Sequence, residues 1–313
     1  MPDLAPSLRQ AVCALSLWLG AAACALDPDN DRDPPPLPPG TAIAFVTGGL
    51  FNNTDVYYLS ADASQFLNLT SHAAVDTWPQ WSPDGTRIAF ESDRQDLMGE
   101  IYLMDDDGTN VRRITGADSG FVDAQPTWSP GGDLLAFVSN RDTATGRLDI
   151  YIMNDSGQPF RRLTSDSAND VQPAWSPDGT LIAFVSDRDD GGAGDIFVID
   201  TSGANPVNLT NNAARDLTPA WSPDGSRIAF MSNRGGGTFA IWVMDADGGN
   251  QARVTPTTLT THAELPSWSP DGERILLDSD GDLWTIRPDG TDLVNLTRSR
   301  NRIEAQARWR PAP

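Results

Sequence analysis

Apolar residues along this chain come in short runs such as Ile101-Tyr102-Leu103-Met104 and Ile196-Phe197-Val198-Ile199, punctuated by Gly, Pro, Asp and Asn. The runs are rich in β-branched and aromatic side chains, which suits half-buried pleated strands. No segment sustains a 3.6-residue apolar period, so almost no helix is expected.

The runs recur with a long period. Trp81, Trp128, Trp175, Trp221, Trp268 and Trp309 are separated by 47, 47, 46, 47 and 41 residues. Trp-Ser-Pro-Asp-Gly stands at 81–85, 175–179, 221–225 and 268–272; the second copy reads Trp128-Ser129-Pro130-Gly131-Gly132, and the last shortens to Trp309-Arg310-Pro311. Nine residues after each of the first five tryptophans a strand core ends, at Phe90, Phe137, Phe184, Phe230 and Leu277. A third strand then opens at Val56, Ile101, Ile150, Ile196, Ile241 and Leu283, and fourteen residues later stands a threonine in every copy, from Thr70 to Thr297. A period of about 40 to 50 residues with four short strands reads as a propeller blade.

The phase of the repeat predicts how the ring closes. Residues 41–70 hold three strands with no tryptophan strand before them, and Glu304 to Pro311 supply that strand. The expectation is an all-β, six-bladed β-propeller of four-stranded blades, its last blade closed by both chain termini, which removes exposed sheet edges.

These motifs resemble the WD40-like Pro-Asp repeats of the TolB C-terminal propeller domain, over about residues 41–311. TolB-family proteins are periplasmic, so the resemblance implies an envelope location and a protein-binding role. It does not extend to the α/β domain with which those proteins engage other Tol components, so no Tol-specific role is carried over.

Two faces follow from the spacings. The intervals that hold the first and third hairpins are constant, whereas the remaining connections vary: Phe137 to Asp149 is twelve residues and Leu277 to Asp282 is five. In an up-and-down blade all the variable connections fall on one face, where recognition is usually placed. The same face is expected to carry a ring of channel-mouth carboxylates near the start of each innermost strand: Asp76, Asp123, Asp170, Asp216, Glu264 and Glu304. Same-face arginines stand at Arg94, Arg141, Arg188 and Arg234; blades five and six lack them, reading Ser279-Asp280-Gly281 and Thr47-Gly48-Gly49. The carboxylates either pair with these arginines and hold the ring together, or form an acidic mouth for a cation or basic peptide.

Composition narrows the chemistry. The sequence has 43 acidic and 22 basic residues, a net charge of −21, and its basic residues are all arginine. That excludes Schiff-base lysine and phosphate-loop lysine chemistry and argues against nucleic acid, which needs a basic stripe. Two His and two Cys leave little for a metal cluster, and no metal site is expected. Asp105 to Asn110 and Asp245 to Asn250 look like calcium loops but lack the acid at the twelfth position, so the expectation is no cofactor, with calcium the possible exception. No Gly-x-Ser-x-Gly elbow occurs.

The N-terminal segment reads as an address. Ala11 to Ala23 is too short to span a bilayer and has the form of a secretory core, leading into Cys24. The expected organisation is a lipoprotein-type signal peptide at 1–23, lipidation at Cys24, a Pro- and Asp-rich tether at 24–40 and the propeller at 41–313. The proline run Pro34-Pro35-Pro36-Leu37-Pro38-Pro39 favours an extended spacer. Together these features point to an exported, membrane-anchored, non-catalytic scaffold, monomeric, that binds a protein or peptide on its loop-rich face. The alternatives are a hydrolase or lyase acting on carbohydrate or a small ester through carboxylates such as Asp76 and Glu304, or a purely structural envelope component.

Overall fold

The computed structural model describes residues 42–311, apart from 49–52, 61–64, 96–97, 117–119, 143–145, 190–192, 236, 260 and 298–302. The leader, the tether and Cys24 lie outside the described residues. Among the described residues there is no helix, and none long and apolar enough to cross a membrane.

The strands form six four-stranded antiparallel sheets. In five of them the strands are consecutive in the chain; in the sixth, the strand Ile303–Trp309 pairs with Ile43–Gly48, Ile43 facing Trp309. Blade six is therefore closed by both ends of the propeller, as the repeat phase predicts. Each inner strand lies beside the inner strands of both neighbouring blades, which closes the ring.

Each part of the repeat has a local cause. In the first hairpin of blade one, Ser82 Oγ accepts from Arg87 N at 2.9 Å and donates to Asp84 at 2.5 Å, while Gly85 N donates to Ser82 O at 2.8 Å. Gly85 has φ +67°, where a Cβ is disfavoured, so the turn requires glycine there. The threonine fourteen residues into the second half of the blade accepts a hydrogen bond from the first apolar residue of the third strand: Thr70 from Val56 N at 3.1 Å and Thr115 from Ile101 N at 2.9 Å. That bond fixes the constant interval.

The core lies between blades. Ile101, Leu103 and Ile114 of blade one pack with Trp128, Leu135, Phe137 and Tyr151 of blade two, all buried. The repeat tryptophans also bond across that seam: Trp128, Trp221 and Trp268 donate Nε1 to Gln80 O, Ala174 O and Ala220 O of the preceding blade at 3.0–3.2 Å.

Every inner strand bulges three residues before its tryptophan. Trp78, Gln125, Gln172, Thr218, Leu265 and Gln306 all have φ between +52° and +56°, and the strand pairing shifts register around each of them. Left-handed backbone at Trp or Leu is strained and persists only where the surroundings impose it.

Candidate functional site

The predicted carboxylates and arginines meet inside single blades. In blade one, Arg94 Nη2 donates to both oxygens of Asp76 at 3.0 Å and Nε to Ser92 Oγ at 2.9 Å. Its guanidinium lies over the rings of Phe90 and Tyr102, 5.2 and 5.0 Å from their centroids. The unit recurs. Arg141 bonds Asp123 at 2.6 Å with its guanidinium 3.7 Å over Phe160, Arg188 bonds Asp170 at 3.0 Å and Asp166 at 2.7 Å, and Arg234 bonds Asp216 at 2.6 Å. All four inner-strand aspartates are buried. Burial raises the carboxyl of Asp170 above its ordinary range despite the opposing bonds from Ser186 and Arg188. A desolvated carboxylate with a stacked guanidinium is a staple between the inner strand and the outer part of its own blade.

Blades five and six differ. Glu264 pairs in register with Asp278, whereas Asp76, Asp123, Asp170 and Asp216 each pair with the serine one place further along the second strand. The one-residue shift that the sequence shows at Glu264 therefore turns its side chain to the other face of the sheet, because side chains alternate along a strand. There it stands 3.6 Å from His262, and burial pushes its carboxyl up to about 7. Glu304 is buried at the start of the last inner strand. Asp76, the partner expected of Glu304 in a carbohydrate-cleaving pair, is already held on both oxygens by Arg94.

The carboxylates do not line the channel cavity. That cavity, about 180 Å³, is bounded by the later residues of the inner strands, including Trp78, Gln125, Gln172, Trp221, Trp268 and Arg308. The bulge sets which residues reach it and how the blades connect around it. Gln306 Oε1 accepts from Trp78 N at 2.7 Å, Gln125 Oε1 from Gln172 N at 2.8 Å, and Gln172 Oε1 from Thr218 N at 2.9 Å, each bond crossing to the next blade. Blades one and five have Trp78 and Leu265 at the bulge and cannot offer that amide. In them an acid on the second strand takes over: Glu91 accepts from Gln125 N, and Asp278 Oδ2 from Gln306 N at 2.6 Å. Blades two, three and six, which have the glutamine, carry Val138, Val185 and Val46 at that strand position. Burial pushes Glu91 to about 7 and Asp278 to about 8.

Sequence reasoning missed these glutamines, the two acids and Arg308. A signal was present: a glutamine recurs three residues before the tryptophan in blades two, three and six, and Glu91 and Asp278 interrupt otherwise apolar second strands.

The other candidates are accounted for locally. Asn110 Nδ2 donates to Asp105 and Thr109 to Asp107, and Asn250 Nδ2 donates to Asp245, so the two calcium-like loops are turns closed by their own side chains. His72 Nδ1 accepts from Ala74 N and His262 Nδ1 from Phe239 N. Among the described residues no group of three or more His, Cys, Asp or Glu could hold a metal ion.

The family model described as the TolB beta propeller domain matches residues 32–143, 120–193 and 189–302. The chain belongs to that family. Its fold is similar to that of TolB from Acinetobacter baumannii, with a TM-score of 0.71 and 25% identity over 86% of this chain and 66% of that one. It is also similar to the putative TolB from Agrobacterium tumefaciens, with a TM-score of 0.66 over 87% of this chain and 99% of the other; at 21% identity that likeness shows the fold alone. A curated relative, the uncharacterized peptidase YuxL of Bacillus subtilis (strain 168), is 34% identical over 93 residues, 28% of this chain and 14% of the relative's length.

Proposed function

We propose that this TolB-type propeller is a non-catalytic protein- or peptide-binding scaffold, exported to the cell envelope, acting as a monomer and held to a membrane through lipid on Cys24. The observation that carries the reading is the asymmetry of the two faces. The first hairpins occupy equivalent positions at 82–86, 129–133, 176–180 and 222–226, but connections on the other face run from 280–281 to 140–148. A rigid ring with one face of irregular loops is a binding surface on a scaffold. Membership of the TolB propeller family supports the same reading.

On that face, between blades four and five, the guanidinium of exposed Arg215 lies 6.0 Å from the ring of Phe239, which lies 5.7 Å from exposed His262, itself beside Glu264. The test is capture of partners from envelope extracts by the full chain. The double variant Arg215→Glu, His262→Ala should lose the captured species, while Asp107→Arg, on a hairpin of the constant face, should retain them. Loss with Asp107→Arg alone, or no difference between the two, would refute the loop-face assignment. Mass spectrometry of the mature N-terminus tests the lipid on Cys24 separately.

A further inference from the structure

The residue just before each repeat tryptophan faces the central cavity, and in ring order these residues are Gln80, Thr127, Ala174, Ala220, Ser267 and Arg308. Among the described residues that line the cavity, Arg308 is the one that carries a charge. Its neighbours in the ring, Ser267 of blade five and Gln80 of blade one, contribute a hydroxyl and an amide; across the ring at this level stand Thr127, Ala174 and Ala220. At this level the donors Ser267, Arg308 and Gln80 are therefore adjacent in the ring, while the rest of the lining mixes tryptophan and proline with Gln125, Gln172 and Thr218.

Arg308 is also placed unlike the arginines of the spokes. Among the described residues no carboxylate comes within 4.0 Å of it, and its Nη1 donates to the Ala307 carbonyl at 2.9 Å. The acid that acts on it electrostatically, Asp278, is already engaged by the backbone amides of Gln306 and Ala307. Burial lowers Arg308 to about 10, so the guanidinium stays charged at neutral pH. Burial also raises the carboxyl of Asp278, which favours its neutral form and weakens it as a counter-charge. A half-buried cation facing a cavity, with no carboxylate within ion-pair distance, is a site that an anion would complete.

We propose that the central channel binds a carboxylate, seated on the Arg308 guanidinium and flanked by Gln80 and Ser267. The planar fork of arginine matches a carboxylate bidentately, which favours it over a spherical anion. A volume of about 180 Å³ admits a small organic acid or a single chain end and excludes a folded partner. The site is separate from the loop-face surface proposed above and stands or falls independently of it.

The experiment is calorimetric titration of the full chain at pH 7 and constant chloride with four probes: succinate, the tripeptide Ala-Ala-Ala, the same peptide with an amidated C-terminus, and inorganic phosphate. The variants are Arg308→Gln, which installs the residue that blade one uses at the same register, and Ser267→Ala, which installs that of blades three and four. The wild type should bind succinate or the free-carboxyl peptide, with affinity about tenfold to a hundredfold weaker in Arg308→Gln, as loss of a charged hydrogen-bond donor implies, and reduced a few-fold in Ser267→Ala. Which of the two probes binds identifies the source as a free acid or a chain terminus. No binding of either carboxylate, equal binding of the amidated peptide, preference for phosphate, or affinity unchanged in the variants would overturn the proposal. If Arg308→Gln does not fold, Ser267→Ala and Gln80→Ala decide it by the same criterion.

Discussion

Blades one to four and blades five to six are built on one repeat but held differently. In the first four, an aspartate at the start of the inner strand is clamped by an arginine that also stacks on the blade's own aromatics. In the last two, Asp280-Gly281 and Gly48-Gly49 stand where that arginine would be, the inner-strand acids are Glu264 and Glu304, Arg308 lines the channel, and Asp278 accepts from the bulge amide of Gln306. The comparison separates repetition from specialisation. Charges that recur with the repeat are consumed by the architecture; of those that break it, Glu91 and Asp278 serve backbone amides, while Arg308 faces the cavity and Glu264 the loop surface.

The largest effect should come from breaking a spoke. Asp123→Ala leaves Arg141, whose side chain is only 15% exposed, without its carboxylate, and should cost about 3–5 kcal/mol by urea unfolding. Glu264→Ala should cost under about 1 kcal/mol, because it removes no close arginine pair. Similar losses at the two sites would erase the distinction between sectors.

The pH dependence comes next. Folding raises the carboxyls of Glu91 and Asp278, to about 7 and about 8, by burial. The folded state therefore binds protons more tightly than the unfolded one, and this contribution is complete below about pH 4 and is lost as pH rises through 7 to 8. Asp224, bonded by Ser222 and Ser226, moves the other way, to about 2, so its contribution is complete above about pH 4 and is lost as pH falls towards 2. Stability should thus peak near pH 4 and fall progressively, by a few kcal/mol to order of magnitude, towards pH 8. The double variant Glu91→Gln, Asp278→Asn keeps both acceptors and should flatten the alkaline fall while leaving the acid limb unchanged; denaturant midpoints across that range check it.

A smaller effect tests the exchange between glutamine and acid around the channel. Gln172→Leu strips Thr218 N of its acceptor and should cost about 1–3 kcal/mol. Adding Val185→Glu, which copies the arrangement of Glu91 in blade one, should recover part of that loss. Further destabilisation by the second change would show that the two side chains are not interchangeable.

The ring itself was legible in the sequence. Trp-Ser-Pro-Asp-Gly encodes a hairpin whose Ser, Asp and Gly each make a specific bond, and the phase of the first and last copies encodes the closure of blade six. The serine–arginine motif after the second strand was legible as a possible partner for the aspartates, although which of the two outcomes held depended on burial. What could not be read was the bulge. Nothing in the propensities of Trp78 or Leu265 announces left-handed backbone, so the residues that the bulge turns toward the channel, and those that serve its amides, stayed hidden. Glu264 was obscured for a related reason: a shift of one position looks trivial in a sequence and reverses the side chain in a pleated strand.

The spokes of blades one to four are coupled pairs, and the acid of blade five is not part of one. A double-mutant cycle measures that directly: the coupling energy of Asp123 with Arg141, from the two single alanine variants and the double, set against that of Glu264 with His262 at pH 7. The expected coupling is about 2 kcal/mol or more for the first pair, buried and at 2.6 Å, and below about 0.5 kcal/mol for the second, at 3.6 Å and partly exposed. Coupling of equal size in the two pairs would contradict it.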